Sequence, residues 1–149
     1  MPTANWTVVV NKPPEEVFAY LADIRKHGEW SPKPWRAEGL AEGPVGVGTK
    51  FTSIGWIPRD ADHHNDVEVV ELDPPHRMKL ISREKGEQFV NTFVLTPSDG
   101  GTKVDRTLEL PRPPGFGGVV FPLLLAGFIK PAVGKGMRMF KHRLESSTT

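Results

Sequence analysis

The chain contains no cysteine. Disulfides, thiolate metal ligands and a cysteine nucleophile are therefore excluded, although the compartment is left open. Neither sign of charge is in excess: 19 Lys and Arg face 18 Asp and Glu, for a net charge of +1. The basic surplus of a general nucleic-acid binder is missing, and no nucleic-acid partner is expected. No long hydrophobic run exists either. The longest, Phe116 to Ile129, is interrupted by Gly117, Gly118, Pro122 and Gly127 and falls short of the ~20 residues that span a bilayer. The opening Met1-Pro2-Thr3-Ala4-Asn5-Trp6 lacks a basic region followed by an apolar one, so no signal peptide is expected and a cytoplasmic location is. Internal repeats and low-complexity tracts are absent as well. What is present suits one domain over residues 1–149. At 38% hydrophobic and 25% charged residues the composition is that of a globular protein, and the length is enough to bury a core without staples. The 15 glycines and 15 prolines favour strands joined by turns over a helical bundle.

Residues 4–11 are β-branched and aromatic and predict a strand. Pro13-Pro14-Glu15-Glu16 opens a helix, because proline lacks the N–H that a first turn leaves unpaired and carboxylates suit the positive end of the dipole. Val17, Phe18 and Leu21 fall on its buried face. Asp23 is expected to cap a second short helix to about His27, with Gly28 as a left-handed stop. From there the period becomes two, and strands are predicted near 36–42, 49–57, 66–73, 77–84, 88–96 and 102–110. The short turn-rich separators imply antiparallel hairpins. Residues 58–65 read as a polar loop. Residues 116–145 read as helix, with kinks at Pro122 and Pro131. Val133, Met137, Phe140 and Leu144 form its apolar stripe and Lys135, Arg138, Lys141 and His142 its other side.

Five segments carry a family resemblance: Lys12-Pro13-Pro14-Glu15-Glu16-Val17-Phe18 through Asp23, Glu29-Trp30-Ser31-Pro32, Gly46-Val47-Gly48-Thr49-Lys50-Phe51, Val69 through Met78, and Phe93 through Val104. In this order they resemble the START-like (SRPBCC) superfamily, in its bacterial polyketide cyclase/dehydrase-type branch. The resemblance covers about residues 4–145. It implies an α+β helix-grip fold: a curved antiparallel sheet of about seven strands around a long C-terminal helix, with two short helices after the first strand. It also implies an apolar cavity between sheet and helix, and members that bind or transform lipids, sterols, polyketides or aromatic metabolites. Pro122, Gly127, Pro131, Gly134 and Gly136 depart from a regular helix, since glycine and proline cost roughly 1 and 3 kcal/mol there.

Strand alternation selects the candidate site. Val104, Arg106, Leu108 and Leu110 share one parity, and Phe89, Asn91, Phe93 and Leu95 share that of the preceding strand. Arg106 on an apolar face is costly unless an oxygen pairs with it. It is either an anchor for a ligand carboxylate or enolate, an ion-pair partner of Glu84 or Glu71, or a residue that snorkels to water. Asn91 is the second polar group on this wall, with a bond to neighbouring backbone as its plain reading. Trp30, Trp35 and Trp56 are candidates to line a pocket for flat ligands or simply to pack. His63, His64 and Asp66 look superficially metal-like but lack a convergent third ligand, so a solvated loop or a pH-sensitive lid is the reading. Ser31, Ser53 and Ser82 have no nucleophile context, and Gly46-x-Gly48 is no dinucleotide loop. No catalytic residue, metal or cofactor is expected. The expected function is carriage or sensing of a small hydrophobic ligand by Trp56, Phe89, Asn91, Phe93, Arg106, Leu124 and Phe128. The alternative is a cyclase or dehydratase with Arg106 stabilising an enolate. The chain is expected as monomer or homodimer, with peripheral membrane contact through 116–129 and the basic helix as a further possibility.

Overall fold

The computed structural model describes residues 3–57, 60–84, 86–110 and 125–146. Strand β1 (Thr3–Val10) leads into α1 (Pro14–Ala22) and a 3-10 helix (Ile24–Trp30). Six strands follow: β2 (Arg36–Glu38), β3 (Lys50–Ile57), β4 (Asp60–Asp73), β5 (Arg77–Glu84), β6 (Glu87–Ser98) and β7 (Gly101–Glu109). A π-helical turn (Leu125–Ile129) then runs directly into α2 (Lys130–Ser146). The strands form one curved sheet in the order β1-β7-β6-β5-β4-β3-β2, every pair antiparallel. This is the helix-grip α+β arrangement.

Alternation explains the core. Phe51, Val67, Val69, Met78, Leu80, Phe93, Leu95 and Val104 project from successive strands onto one face and are buried. They meet Val17, Phe18 and Leu21 of α1 and Met137, Phe140 and Leu144 of α2. Phe140 has no exposed surface, and burying such a side chain stabilises by roughly 1.5–3 kcal/mol. Polar contacts fix how α2 lies against β1. The Lys141 ammonium donates to the Val9 carbonyl at 2.6 Å, and the Trp6 indole donates to the Lys130 carbonyl at 3.2 Å. The Glu145 carboxylate accepts from Lys141 at 2.7 Å and from the Asn11 N–H at 2.9 Å. These two bonds, Lys141 first, hold its pKa below the ordinary carboxylate range.

Several expectations are corrected. The stretch from Asp60 onward is strand, not loop, because the β3–β4 hairpin continues its pairing to Ile57↔Asp60. The predicted strand at 36–42 is only three residues long, and Gly39 leaves it at φ +78°. The Asp23 side chain makes no cap bond. Gly28 sits inside the 3-10 helix rather than ending it. Its role is a close approach: a Cβ there would lie 2.7 Å from the Trp35 carbonyl oxygen. Pro131 is the second residue of α2, which directly follows the π-helical turn. Pro122 and most of the 116–129 run lie outside the described residues. Among those that are described, no helix is long and apolar enough to cross a membrane.

The two glycines in the middle of α2 differ in their surroundings. A Cβ at Gly134 would make ordinary contacts at 3.6–3.7 Å with Arg138 and Trp6, whereas one at Gly136 would stand 3.0 Å from the Trp30 carbonyl oxygen. Gly134→Ala is therefore expected to stabilise by about 0.5–1 kcal/mol through lost unfolded-state freedom. Gly136→Ala is expected to give none of this, because the 3-10 helix must retreat. Thermal melts of both variants check the contrast.

Candidate functional site

Between the sheet and α2 lies a cavity of about 250 Å³. Each wall follows from an element already described. Strands β4 to β7 contribute Val67, Leu80, Ser82, Asn91, Phe93 and Arg106, all on the inward parity. Strand β3 contributes Phe51 and Ser53 and then Trp56, which breaks the alternation. The register of β3 against β4 shifts between Gly55 and Ile57, and a bulge of this kind re-aims a side chain. The 3-10 helix and the segment after it supply His27, Trp30, Ser31, Lys33 and Trp35. The helical end closes the cavity with Phe128, Val133 and Gly136. Trp56 and Phe128 face each other with ring centroids 6.0 Å apart, and the Lys33 ammonium sits 4.7 Å over the Trp56 ring.

Arg106 is the charge at the centre. Its Nε donates to Asn91 Oδ1 at 3.0 Å, and among the described residues its Nη1 has only the Met137 sulfur at 3.9 Å. The guanidinium carbon stands 5.0 Å from the Phe93 ring centroid and 5.8 Å from that of Trp30. Among the described residues no carboxylate lies within ion-pair distance. Glu84 is engaged by His63 and Glu71 by Arg77, so the expected internal salt bridge is corrected. Asn91 is corrected too, since its side chain serves Arg106 and not the backbone. Desolvation pushes the Arg106 pKa down to about 10, still charged at neutral pH. The residue keeps some contact with the hollow it lines.

His27 is the site residue that sequence reasoning missed. Its Nε2 lies 2.6 Å from the Leu21 carbonyl oxygen. A carbonyl only accepts, so Nε2 carries the proton and Nδ1 keeps its lone pair. The ring packs against Trp30 and Trp35, with centroids at 4.8 and 5.6 Å. Desolvation lowers its pKa to about 4, outweighing the Leu21 bond that would raise it, and the Arg106 charge adds to the lowering. A histidine on a 3-10 turn carries no periodic signal that could have marked it. Ser82 was findable, because it shares the parity of Leu80 on β5.

The other expected site residues divide. Trp56, Asn91, Phe93, Arg106 and Phe128 come together around the cavity. Phe89 shares the parity of Asn91 but is not among the residues lining the hollow, and Leu124 lies outside the described residues. His63 and His64 diverge, as adjacent strand residues must. The His63 ring meets Asp60 through Nδ1 at 2.9 Å and Glu84 through Nε2 at 2.7 Å, and its bond holds the Asp60 pKa below its ordinary value. The idea of a mobile histidine lid is thus replaced by a tethered strand. Among the described residues no group of three or more His, Asp or Glu side chains is arranged to hold a metal ion. A second hollow of about 210 Å³ adjoins the first and shares Trp35, Ser53 and Trp56 with it.

The whole architecture recurs in solved structures. A crystal structure of a protein from Thermus thermophilus is similar at TM-score 0.76 and 22% identity, covering 99% of this chain and 100% of that one. One from Chromobacterium violaceum is similar at TM-score 0.75 and 18% identity, covering 97% and 99%. DynU16, a protein in the dynemicin biosynthetic locus, is similar at TM-score 0.58 and 20% identity over 91% of this chain and 46% of its own. At these identities the likeness is one of fold. No curated protein matches the sequence. The family model described as polyketide cyclase / dehydrase and lipid transport matches residues 1–145, and the chain belongs to that family.

Proposed function

We propose that the protein binds a small hydrophobic molecule in the cavity between sheet and α2, as a carrier or sensor. Arg106 meets an anionic or strongly polar oxygen of the ligand. One observation carries this reading: an enclosed guanidinium has a single amide as its polar oxygen partner among the described residues. Leaving a buried charge without a counter-ion costs stability, and such uncompensated groups mark functional sites more often than chance. The aromatic walls supply the apolar contact and the few polar groups the orientation, as in small-molecule pockets generally. A cavity of ~150 Å³ holds benzene, so about 250 Å³ suits one ring or two fused ones. Native mass spectrometry of the purified protein, with quenching of Trp30, Trp35 and Trp56 fluorescence by an apolar dye, tests the reading. A bound lipophile or saturable quenching is expected. An empty protein that ignores the dye overturns it.

The second reading is an enzyme of cyclase or dehydratase type with Arg106 stabilising an enolate. The family's description favours it, and so does the biosynthetic locus of DynU16. It needs a base near Arg106. The cavity offers His27, held at about 4, far below the range in which a general base works at neutral pH. Conversion of a linear poly-β-ketone by the purified chain, lost in Arg106→Ala, would reverse the ranking.

A further inference from the structure

Arginines are matched with oxygen acceptors across the molecule, except on one face. Arg36, Arg77 and Arg83 each meet a carboxylate, Arg25 meets the Ala41 carbonyl and Arg106 the Asn91 amide. Arg138 and Arg143, both exposed on α2, have neither a hydrogen-bonded oxygen nor an ion-pair partner among the described residues. Lys130, Lys135 and His142 are exposed on the same helix and have no carboxylate within ion-pair distance among those residues. The imbalance is one of sequence as well. α2 carries five Lys and Arg against one Glu, a charge of +4, which leaves 14 against 17, or −3, on the rest of the chain. Glu145 does not offset the face, because Lys141 and the Asn11 N–H engage it. Strand β4 shows the contrast: it has six acids and no Lys or Arg, yet Asp60, Asp62, Glu68 and Glu71 meet His63, Arg36, Arg83 and Arg77.

Lys135, Arg138 and His142 are spaced i, i+3, i+7, so they share one line along the outer side of α2, about 10 Å long at 1.5 Å of rise per residue. Like charges at the spacing of Lys135 and Arg138 weaken a helix. The macrodipole favours cations only in the last turn, where Arg143 sits, so it does not account for the other two. The chemistry of what covers this face is constrained. The opposite side of α2 is used by the core through Met137, Phe140 and Leu144, and the exposed large hydrophobic residues among those described, Val9 and Val47, are not on it. A helix with no apolar side left to insert does not anchor in a bilayer. A face with no exposed Trp, Tyr or Phe gives single-stranded nucleic acid no stacking platform. Carboxylates on a polypeptide remain, and a guanidinium fork matches them in paired hydrogen bonds. We infer that the outer face of α2, centred on Lys135, Arg138 and His142, docks an acidic segment of another protein. The contact is electrostatic and salt-sensitive. It seats the partner on the back of the wall that Val133 and Gly136 give the cavity, and it does not depend on what the cavity binds.

The test titrates the full chain with an octaglutamate peptide and follows backbone amide shifts by NMR. Saturable shifts centred on α2 are expected, with affinity falling about tenfold between low salt and about 300 mM NaCl. Lys135→Glu combined with Arg138→Glu is expected to weaken binding by about tenfold or more. The same two reversals at Lys50 and Lys79, on β3 and β5, alter net charge equally and are expected to change affinity by less than about twofold. No shifts, shifts scattered over the molecule, or an equal loss in the two double variants would overturn the inference, the last by showing only a long-range field. Equal or tighter binding of phosphatidylserine vesicles or of a short thymidine oligonucleotide, lost with the same α2 reversals, would overturn it as well, because the face would then take phosphate rather than carboxylate. Should the α2 double variant fail to fold, the shift map on the unaltered chain and its salt dependence decide alone.

Discussion

Arg106→Met is expected to make the protein more stable and less able to bind acids. The wild-type guanidinium is enclosed by Trp30, Phe93 and Met137 and bonded to one amide. Its pKa falls to about 10 through desolvation, which corresponds to roughly 3 kcal/mol of disfavoured charge. Methionine is apolar, flexible and of similar reach, and it suits an irregular site beside another methionine. Against that gain stand the lost Asn91 bond and two cation–π contacts of about 0.5–1 kcal/mol each. With the Asn91 bond taken as about 1 kcal/mol, a net stabilisation of at most about 1 kcal/mol follows, and replacing buried ions by apolar groups commonly gives this sign. The same change removes charge-assisted bonds to a ligand acid worth about 1.5–3 kcal/mol, a loss of roughly tenfold to a hundredfold in affinity. Urea titration measures the first quantity and calorimetry with 2-naphthoic acid the second. A variant that is less stable than wild type, or that binds the acid as well, would show that Arg106 is held by something other than the need to meet a ligand. Stability given up at one residue is the usual signature of a site kept for function.

That trade was partly visible in the sequence. Period-two alternation in β7 put Arg106 beside Val104 and Leu108, and a charge on an apolar face is a local inconsistency of the kind that marks a site. The same alternation placed Asn91 and Phe93. What it could not supply was Arg106's partner, because pairing between strands decides which side chains meet. Asn91 and Leu108 are the registered neighbours, so the amide stands diagonally next to Arg106 and the candidate carboxylates do not. Trp56 reaches the cavity only because of the bulge after Gly55, and a bulge is a property of two strands, not one. The polar run from Asp60 to Asn65 looked like a loop for a related reason. Its outward residues face solvent, while the inward His63 is satisfied by Glu84 of a strand 21 residues away. The fold itself was legible because proline-started α1, the turn residues and the α2 stripe are all local signals. His27 was not, since its meaning depends on the Leu21 carbonyl and two tryptophans closing around it.

Burial of His27 makes the fold acid-labile in a defined window. Its pKa is about 4 in the folded protein against an ordinary 6.5. Between those values the unfolded chain binds a proton that the folded chain does not, so stability rises with pH across the window. The contribution is complete above pH 6.5 and is lost as the pH falls toward 4. A depression of this size is worth on the order of 3 kcal/mol, a large share of the stability of a domain of this length. The groups acting on the ring agree with the direction: burial is the main cause, Arg106 repels the imidazolium, and the opposing Leu21 bond and Asp23 charge do not outweigh them. Asp60 and Glu145 also lose stabilising bonds in acid, but their pKa values are lowered, so their effect falls below the ordinary carboxylate range. Comparison with His27→Phe separates the two, because the variant retains both carboxylates and has no imidazole at this position to protonate. Urea unfolding at about pH 7.5 and about pH 4.5 should show wild type losing about 2–3 kcal/mol more than the variant. Equal losses would mean that the ring takes up its proton in place.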